Sequence, residues 1–482
     1  MAGKPNVLFI LSDQHNAKFM SCTGKQPDVR TPNFDRMAAE GVRFENAVTQ
    51  ITICMPSRIC LASGQYCHNH GRYGFSRRKP EHLPTVFGHF RRAGYRTAAV
   101  GKMHCPDDWL EDDCDEFYET DRTSKGGSCR EYLDYLAGRG IDIYEEYGLK
   151  SGPSPFDYAD SQEGWSARKV IDIMRRSAEA GRPFFIHLSL TKPHQPYTPA
   201  RQFWEMYDES KITLPPNADY DLAAAGKAPY VIDVAERARQ SEDFEAERLK
   251  KLHGYLGNVT HCDFAVGEIL AFLDERGLAE DTIIVYSADH GEYACEHGPN
   301  EKVPGIAADA VTRIPMLWRW GGRFKAGHVA EQLVEAVDVA ATLCSLAALE
   351  RMETADGKDL SPLLDGRGVE LRRIAVTEFP FSRSVRKGKW RLVYYPPGFF
   401  GDQRPDGFGE LYDLQADPWE MKNLYYDKRC AEVVREIERD LLDWLVTTTR
   451  PVDAYTPIRL HPADGKVHPD DLWGGLPCGA YL

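Results

Sequence analysis

A chain of 482 residues and 54.5 kDa exceeds the roughly 250 to 300 residues that one compact core usually holds, so one large domain with an appendage is expected. Its 42% hydrophobic, 11% aromatic and 27% charged residues are those of an ordinary globular protein, without disordered or fibrous bias. The formal net charge of -14 repels polyanions at long range, which excludes unassisted binding to nucleic acid or an anionic membrane and demands a local cationic pocket for any anionic substrate.

No run of about 18 apolar residues is present, so no membrane span is expected. Met1 to Pro5 leads straight into the apolar segment Asn6 to Leu11, without a basic region, a long apolar region and a small-residue cleavage site; a cytoplasmic location is the expectation. Twelve cysteines are scattered from Cys22 to Cys478 with no CxxC pair, the pattern of reduced core residues rather than a disulfide framework.

Along the chain, β-rich runs occur at Val7 to Leu11, Thr97 to Val100, Phe184 to Leu188 and Thr282 to Tyr286, with a shorter one at Met316 to Trp318. A long helix is predicted from about Phe244 to Leu273, where Leu249, Leu252, Leu256, Val259, Val266 and Leu270 recur at helical spacing. Alternation of strand and helix predicts an α/β fold with a large mixed, mostly parallel sheet flanked by helices. The stretch from Pro199 to Glu242, with Pro215-Pro216 and weak periodicity, reads as a long excursion at a pocket rim. Beyond Asp365-Gly366-Arg367-Gly368 come β-rich runs at Ile374 to Glu378, Ser384 to Val385, Trp390 to Tyr395 and Glu410 to Leu414, then an amphipathic helix near Cys430 to Val446. The expected organisation is a catalytic domain over 1–368, a small C-terminal α+β subdomain over 369–450, and a tail over 451–482 that wraps a surface or makes homo-oligomer contacts.

Open α/β sheets bind ligands beyond the carboxyl ends of their strands. Here those ends are polar: Ser12-Asp13-Gln14, Gly101-Lys102-Met103-His104, Thr191-Lys192-Pro193-His194 and Ala288-Asp289-His290-Gly291. Asp13, Gln14, Asp289 and His290 offer two carboxylates, an amide oxygen and an imidazole, a set suited to calcium, magnesium or manganese more than to zinc. Arg58, Lys102, His104, Lys192, His194 and Lys302 form a cationic group able to stabilise a compact oxyanion, although Lys302 alone reads as a solvated lysine. Cys54, followed by Met55-Pro56-Ser57-Arg58, is a thiol beside an arginine at a helix start. The His68-Asn69-His70 run reads as structural, its imidazoles making local hydrogen bonds.

Cys54-Met55-Pro56-Ser57-Arg58 with Leu61-Ala62-Ser63-Gly64 resembles the signature of the formylglycine-dependent sulfatases, in the alkaline phosphatase superfamily. The segments leading to Asp13, Lys102, Lys192-Pro193-His194, Asp289-His290-Gly291 and Arg313-Ile314-Pro315 stand in that family's order, and Glu410 to Leu414 with Asp417-Pro418 is similar too. The resemblance implies an alkaline phosphatase-like fold and oxidation of Cys54 to formylglycine by a formylglycine-generating enzyme. It further implies one divalent metal, calcium ahead of magnesium or manganese, on Asp13, Gln14, Asp289, His290 and the modified Cys54. Arg58, Lys102, Lys192 and Lys302 would hold the nucleophile or sulfate, His194 would protonate the leaving alcohol and His104 would deprotonate the intermediate. The substrate implied is a small anionic sulfate ester, such as a sulfated saccharide. A phosphonate monoester or phosphodiester hydrolase is the alternative that Gln14 and His290 allow, and a non-catalytic binding protein the remoter one. Met55 departs from the Ser, Thr or Ala common after the cysteine, leaving the Cys-x-Pro-x-Arg pattern intact.

Overall fold

The computed structural model describes residues 4–75, 78–80, 83–106, 109–121, 130–298, 302, 307–404 and 407–450. The tail over 451–482, with Trp473, lies outside the described residues.

The larger sheet has eight strands: β1 (Asn6–Asp13), β2 (Val42–Val48), β3 (Arg96–Gly101), β4 (Glu116–Glu119), β5 (Phe184–Pro193), β6 (Thr282–Ala288), β7 (Met316–Arg319) and β8 (His328–Glu335). Their order is β4-β3-β5-β1-β6-β7-β2-β8; β7 runs antiparallel to both neighbours and every other pairing is parallel. The expected mostly parallel sheet is therefore present, with three strands, β2, β4 and β8, beyond the five read from the sequence.

Side chains alternate along a strand, so β1 feeds both faces of the sheet. Val7, Phe9 and Leu11 enter one buried cluster with Phe185, Val285 and Met316, whereas Leu8 and Ile10 enter another with Ile186, Ile284 and Tyr286. Five helices frame or support the polar strand ends: α1 (Cys54–Ser63), α2 (Gln162–Glu179), α3 (Pro229–Arg239), α4 (Phe244–Glu275) and α5 (Ala431–Thr448). Ile173 and Met174 of α2 and Val266, Ile269 and Leu270 of α4 cover the second face. The 32-residue α4 matches the predicted long helix. Within the Pro199 to Glu242 excursion, α3 is a helix that weak periodicity concealed; its first residue, Pro229, suits a helix start because its missing N–H has no intrahelical partner there.

The C-terminal strands β9 (Ala375–Phe379), β10 (Ser382–Lys387), β11 (Trp390–Tyr394) and β12 (Gly409–Asp413) form a separate antiparallel sheet in the order β12-β11-β10-β9. Val434, Ile437 and Leu441 of α5 pack on Val376, Val385 and Leu392 of this sheet, and Ile51, Cys60, Tyr66 and Cys67 join the same cluster. The small sheet thereby buttresses α1 from behind. Among the described residues no helix is long and apolar enough to cross a membrane.

Candidate active site

Strands β1 and β6 pair in parallel with Ser12 opposite Ala288, so the next residues, Asp13 and Asp289, emerge side by side at one sheet edge. Gln14 turns the chain there with a left-handed φ of 67°, and its N–H donates to Asp289 Oδ1 at 3.0 Å. A non-glycine residue in that region is strained and persists only where its surroundings hold it, as this bond does.

Cys54 is the first residue of α1, and the whole helix is buried. Ser57 Oγ, one turn on, donates to the Asp289 carbonyl at 2.6 Å, and Thr49 Oγ1 donates to the same oxygen at 2.6 Å. These bonds dock the start of α1 against the end of β6. As a result the Cys54 sulfur lies 3.7 Å from Asp13 Oδ1, 3.3 Å from His290 Nε2 and 2.9 Å from Lys302 Nζ. Lys302 Nζ also donates to Gln14 Oε1 at 2.8 Å. Burial and the neighbouring Asp13 charge push the Cys54 thiol up, but Lys302, His290 and a hydrogen bond from His104 hold it well below the usual thiol range.

Arg58 supplies counter-charge to both carboxylates, with Nε 3.0 Å from Asp289 Oδ2 and Nη2 3.2 Å from Asp13 Oδ2. Its remaining donor, Nη1, is used by the Lys102 carbonyl at 2.6 Å and Ser189 Oγ at 2.7 Å. Lys102 Nζ lies 2.6 Å from Asp13 Oδ2 and 3.9 Å from Asp121. The approach of Lys102 depends on Gly101, whose φ is 106° and whose place would put a Cβ 1.9 Å from the Ser189 carbonyl oxygen. Burial alone would raise the Asp13 carboxyl, yet Lys102, with Lys302 and Arg58 behind it, holds it well below the carboxylate range. Burial likewise opposes the charge on Lys102 and Lys302, and the anions beside them, Asp13 for Lys102 and Cys54 for Lys302, keep both above the usual lysine value.

His194 is anchored by its N–H, which donates to the Asp13 carbonyl at 3.1 Å, and its Nδ1 lies 2.7 Å from the Gln195 carbonyl. A carbonyl only accepts, so Nδ1 carries the hydrogen. Burial and the Lys102 charge lower the imidazole to about 3, which leaves His194 neutral with Nε2 as an acceptor in the substrate-free protein. His104 adopts a φ of 44°; its Nδ1 is buried without a partner among the described residues, and Phe75 stacks on its ring at 5.3 Å. Lys192 points elsewhere: its ammonium lies 3.3 Å from Glu146 and its N–H donates to Glu163 at 3.0 Å. Its contacts thus run to two carboxylates rather than to Cys54.

The donor set fits a divalent cation. Oxygens of Asp13 and Asp289, His290 Nε2 and Cys54 Sγ all lie within 4.8 Å of one another. His290 Nδ1 is 2.9 Å from the Gly291 carbonyl and must carry a hydrogen, so Nε2 is the ring atom that faces this cluster and that would be the ligand once deprotonated. Glu292 is a neighbour that sequence reasoning passed over: it accepts from Gln14 Nε2 and from the Ala294 N–H at 3.1 Å, fixing the amide so that Oε1 faces Lys302. Its place three residues after Asp289, in the same polar strand-end segment, was the signal that could have found it.

Comparison with known proteins places this arrangement. A family model described as Sulfatase matches residues 5–349. The chain belongs to the sulfatase family. A second model, described as N-sulphoglucosamine sulphohydrolase, C-terminal, matches residues 296–446. This sulfatase is 26% identical to an arylsulfatase of Clostridium perfringens, over 91% of this chain and 94% of that protein. It is 28% identical to a choline-sulfatase of Rhizobium meliloti, over 89% of this chain and 83% of that protein. Among solved structures, the phosphonate monoester hydrolase SpPMH from Silicibacter pomeroyi superposes with a TM-score of 0.80 at 23% identity, covering 94% of this chain and 98% of that one. The enzyme class is sulfuric ester hydrolase, and the fold is alkaline phosphatase-like.

Proposed function

We propose that the protein hydrolyses a small organic sulfate ester, such as a sulfated saccharide, to alcohol and inorganic sulfate through a formylglycine made from Cys54. The observation that carries this reading is the setting of Cys54: first residue of a buried helix, between Asp13, His290 and Lys302 at contact distances of 3.7, 3.3 and 2.9 Å. Conversion by a formylglycine-generating enzyme would replace the thiol with an aldehyde whose hydrate carries two hydroxyls on one carbon. A divalent cation held by Asp13, Gln14, Asp289 and His290, calcium ahead of magnesium or manganese, would supply Lewis-acid polarisation at position 54.

The chain's own residues account for the remaining steps. One hydroxyl of residue 54 loses its proton to solvent and attacks sulfur, and the bond from sulfur to the leaving alcohol breaks. Lys302 and Lys102 stabilise the negative charge that gathers on the transferring group. Because His194 starts neutral, with its hydrogen on Nδ1, it serves as the acid only after the arriving anionic ester offsets the Lys102 charge and lets Nε2 take up a proton. His104 then removes the proton of the second hydroxyl, the carbonyl re-forms as the carbon–oxygen bond to sulfate breaks, and water adds to the aldehyde to restore the diol. Arg58 is committed to Asp13 and Asp289, so its part is to hold those carboxylates charged and in place.

Tryptic peptide Phe44 to Arg58 contains Cys54 as its sole cysteine. In active protein this peptide is expected to have lost sulfur and to react with a hydrazide; an intact thiol in fully active protein sinks the mechanism. Rates on an aryl sulfate and on a phosphonate monoester, measured side by side, separate a sulfatase from a phosphonate hydrolase on the same scaffold.

A further inference from the structure

A second cysteine of α1 has a chemistry of its own. Cys60 lies beyond Arg58 on the helix that begins with Cys54, and the chain then reverses at Gly64, with a φ of 71°, into the short helix Cys67–His70. This reversal brings the Cys67 sulfur to 3.5 Å and His70 Nε2 to 3.1 Å from the Cys60 sulfur. Both sulfurs are fully buried against Ile51, Val376 and Val385, while His70 is half-buried, so the group meets solvent through that imidazole.

The hydrogen positions are set by the partners. The Arg72 N–H donates to His70 Nδ1 at 3.2 Å, so Nδ1 is an acceptor and Nε2 carries the hydrogen. Cys60 therefore receives the Nε2–H of His70, and the Cys67 S–H can point at it as well. Burial opposes a thiolate at Cys60, but those two donors lower it overall, whereas burial and the adjacent Cys60 sulfur raise Cys67. Cys105, Cys114, Cys262, Cys295 and Cys344 are all raised by burial, as Cys67 is, so Cys60 differs from the inert core cysteines around it.

We propose that Cys60 and Cys67 are a peroxide-oxidisable dithiol, a modification site separate from Cys54, in which Cys60 is the attacking sulfur, His70 its hydrogen-bond donor and Cys67 the resolving thiol. The co-reactant is hydrogen peroxide or an alkyl hydroperoxide. The Cys60 sulfur attacks one peroxide oxygen, the O–O bond breaks, and the departing hydroxide or alkoxide leaves as water or alcohol with the Cys60 proton. The Cys67 sulfur then attacks the sulfenic sulfur, the S–O bond breaks, and the sulfenic hydroxyl leaves as water with the Cys67 proton. Two thiols lose two electrons to one peroxide, and the sulfurs close from 3.5 Å to the disulfide length of about 2.05 Å. The same three side chains are close to the spacing of tetrahedral zinc ligands, but a metal on Nε2 would force a hydrogen onto Nδ1, against the Arg72 N–H that now points there.

Trypsin releases Ile59 to Arg72 as one peptide that holds both cysteines and excludes Cys54, so the measurement does not depend on whether Cys54 is converted. The native protein is treated with low peroxide, alkylated after denaturation, and mapped by mass. The expected result is loss of two hydrogens in this peptide, reversed by dithiothreitol, at doses that leave Cys105, Cys262 and Cys295 alkylated. In Cys67→Ser, Cys60 should accumulate as a dimedone-trapped sulfenic acid, and His70→Asn should slow its oxidation by roughly tenfold through loss of the thiolate's donor. Full alkylation of both thiols after peroxide doses that oxidise the half-buried Cys22 and Cys430 overturns the proposal. So does co-purification of one zinc per chain that shields both thiols until a chelator removes it.

Discussion

Lys302 Nζ lies 2.9 Å from the Cys54 sulfur, and the same ammonium donates to Gln14 Oε1 at 2.8 Å. One cation therefore touches both the nucleophile position and a metal-ligand candidate, where it offsets the negative charge that attack would create. Lys302→Ala should lower kcat/KM for an aryl sulfate by about 10²- to 10³-fold, the usual cost of removing one preorganised donor, with little change in thermal midpoint. Lys302→Arg should recover part of that loss. Steady-state kinetics with matched melting curves check it, and a change within twofold for the alanine variant would remove the assigned role.

The neutral His194, lowered to about 3, sets a different expectation. An acid that must acquire its proton together with the substrate helps most when the leaving alcohol is a poor one. His194→Ala should cost alkyl or sugar sulfates about 10²-fold or more in kcat while costing nitrophenyl sulfate under tenfold. Equal losses on both substrate types would remove the assigned acid role, since the alanine variant keeps the backbone N–H that bonds the Asp13 carbonyl.

Burial decides what the sequence displayed and what it concealed. Strands β1, β3, β5 and β6 are buried on both faces and read as continuous apolar runs, whereas β2 carries Arg43 and Glu45, β4 carries Glu116 and Glu119, and β8 carries Glu331 and Gln332 towards the edges of the sheet. The meeting of Asp13 and Asp289 was legible because both come directly after β-rich runs that could be neighbours. Lys302 was legible only through the family resemblance, since it belongs to no periodic element and as a lone lysine it reads as solvated. The turn of Lys192 towards Glu146 was equally hidden, because Glu146 sits in a four-residue helix far upstream. For the histidine run the local reading fits His70, which bonds Cys60, but His68 reaches Glu378 at 3.0 Å, a partner more than three hundred residues away.

Stability should fall in mild acid through His187. Its ring is buried on β5, its Nδ1 lies 3.1 Å from the Phe9 carbonyl, and burial with the Arg58 charge lowers it to about 3. The folded value lies below the ordinary one of about 6.5, so between those limits the unfolded chain binds a proton that the fold refuses. Stability contributed above pH 6.5 is lost as pH falls, by at most about 1.4 kcal/mol per pH unit. His187→Phe removes that dependence and, at pH 8, costs about 1 kcal/mol for the lost hydrogen bond. Urea titrations should therefore find the variant less stable at pH 8 and more stable by pH 5; parallel curves across this range would refute the assignment.

Arg58 offers a test that joins stability to the metal. Its guanidinium is the shared counter-ion of Asp13 and Asp289, all three fully buried. Removing one partner of a buried charge network leaves the others uncompensated at a cost of about 3 to 5 kcal/mol. Arg58→Met keeps most of the side-chain volume, so its destabilisation in chelator should reflect charge rather than a cavity. A divalent cation on the same carboxylates would replace part of the missing charge. Adding calcium should then raise the thermal midpoint of the folded variant, at concentrations where ligand binding stabilises by RT ln(1 + [L]/Kd). The wild type should respond too, but with a smaller shift, because its Arg58 already supplies part of that charge to the two carboxylates. If calcium, magnesium and manganese all leave both midpoints unchanged in differential scanning calorimetry, Asp13 and Asp289 are an ion-pair anchor for α1 and not a metal site.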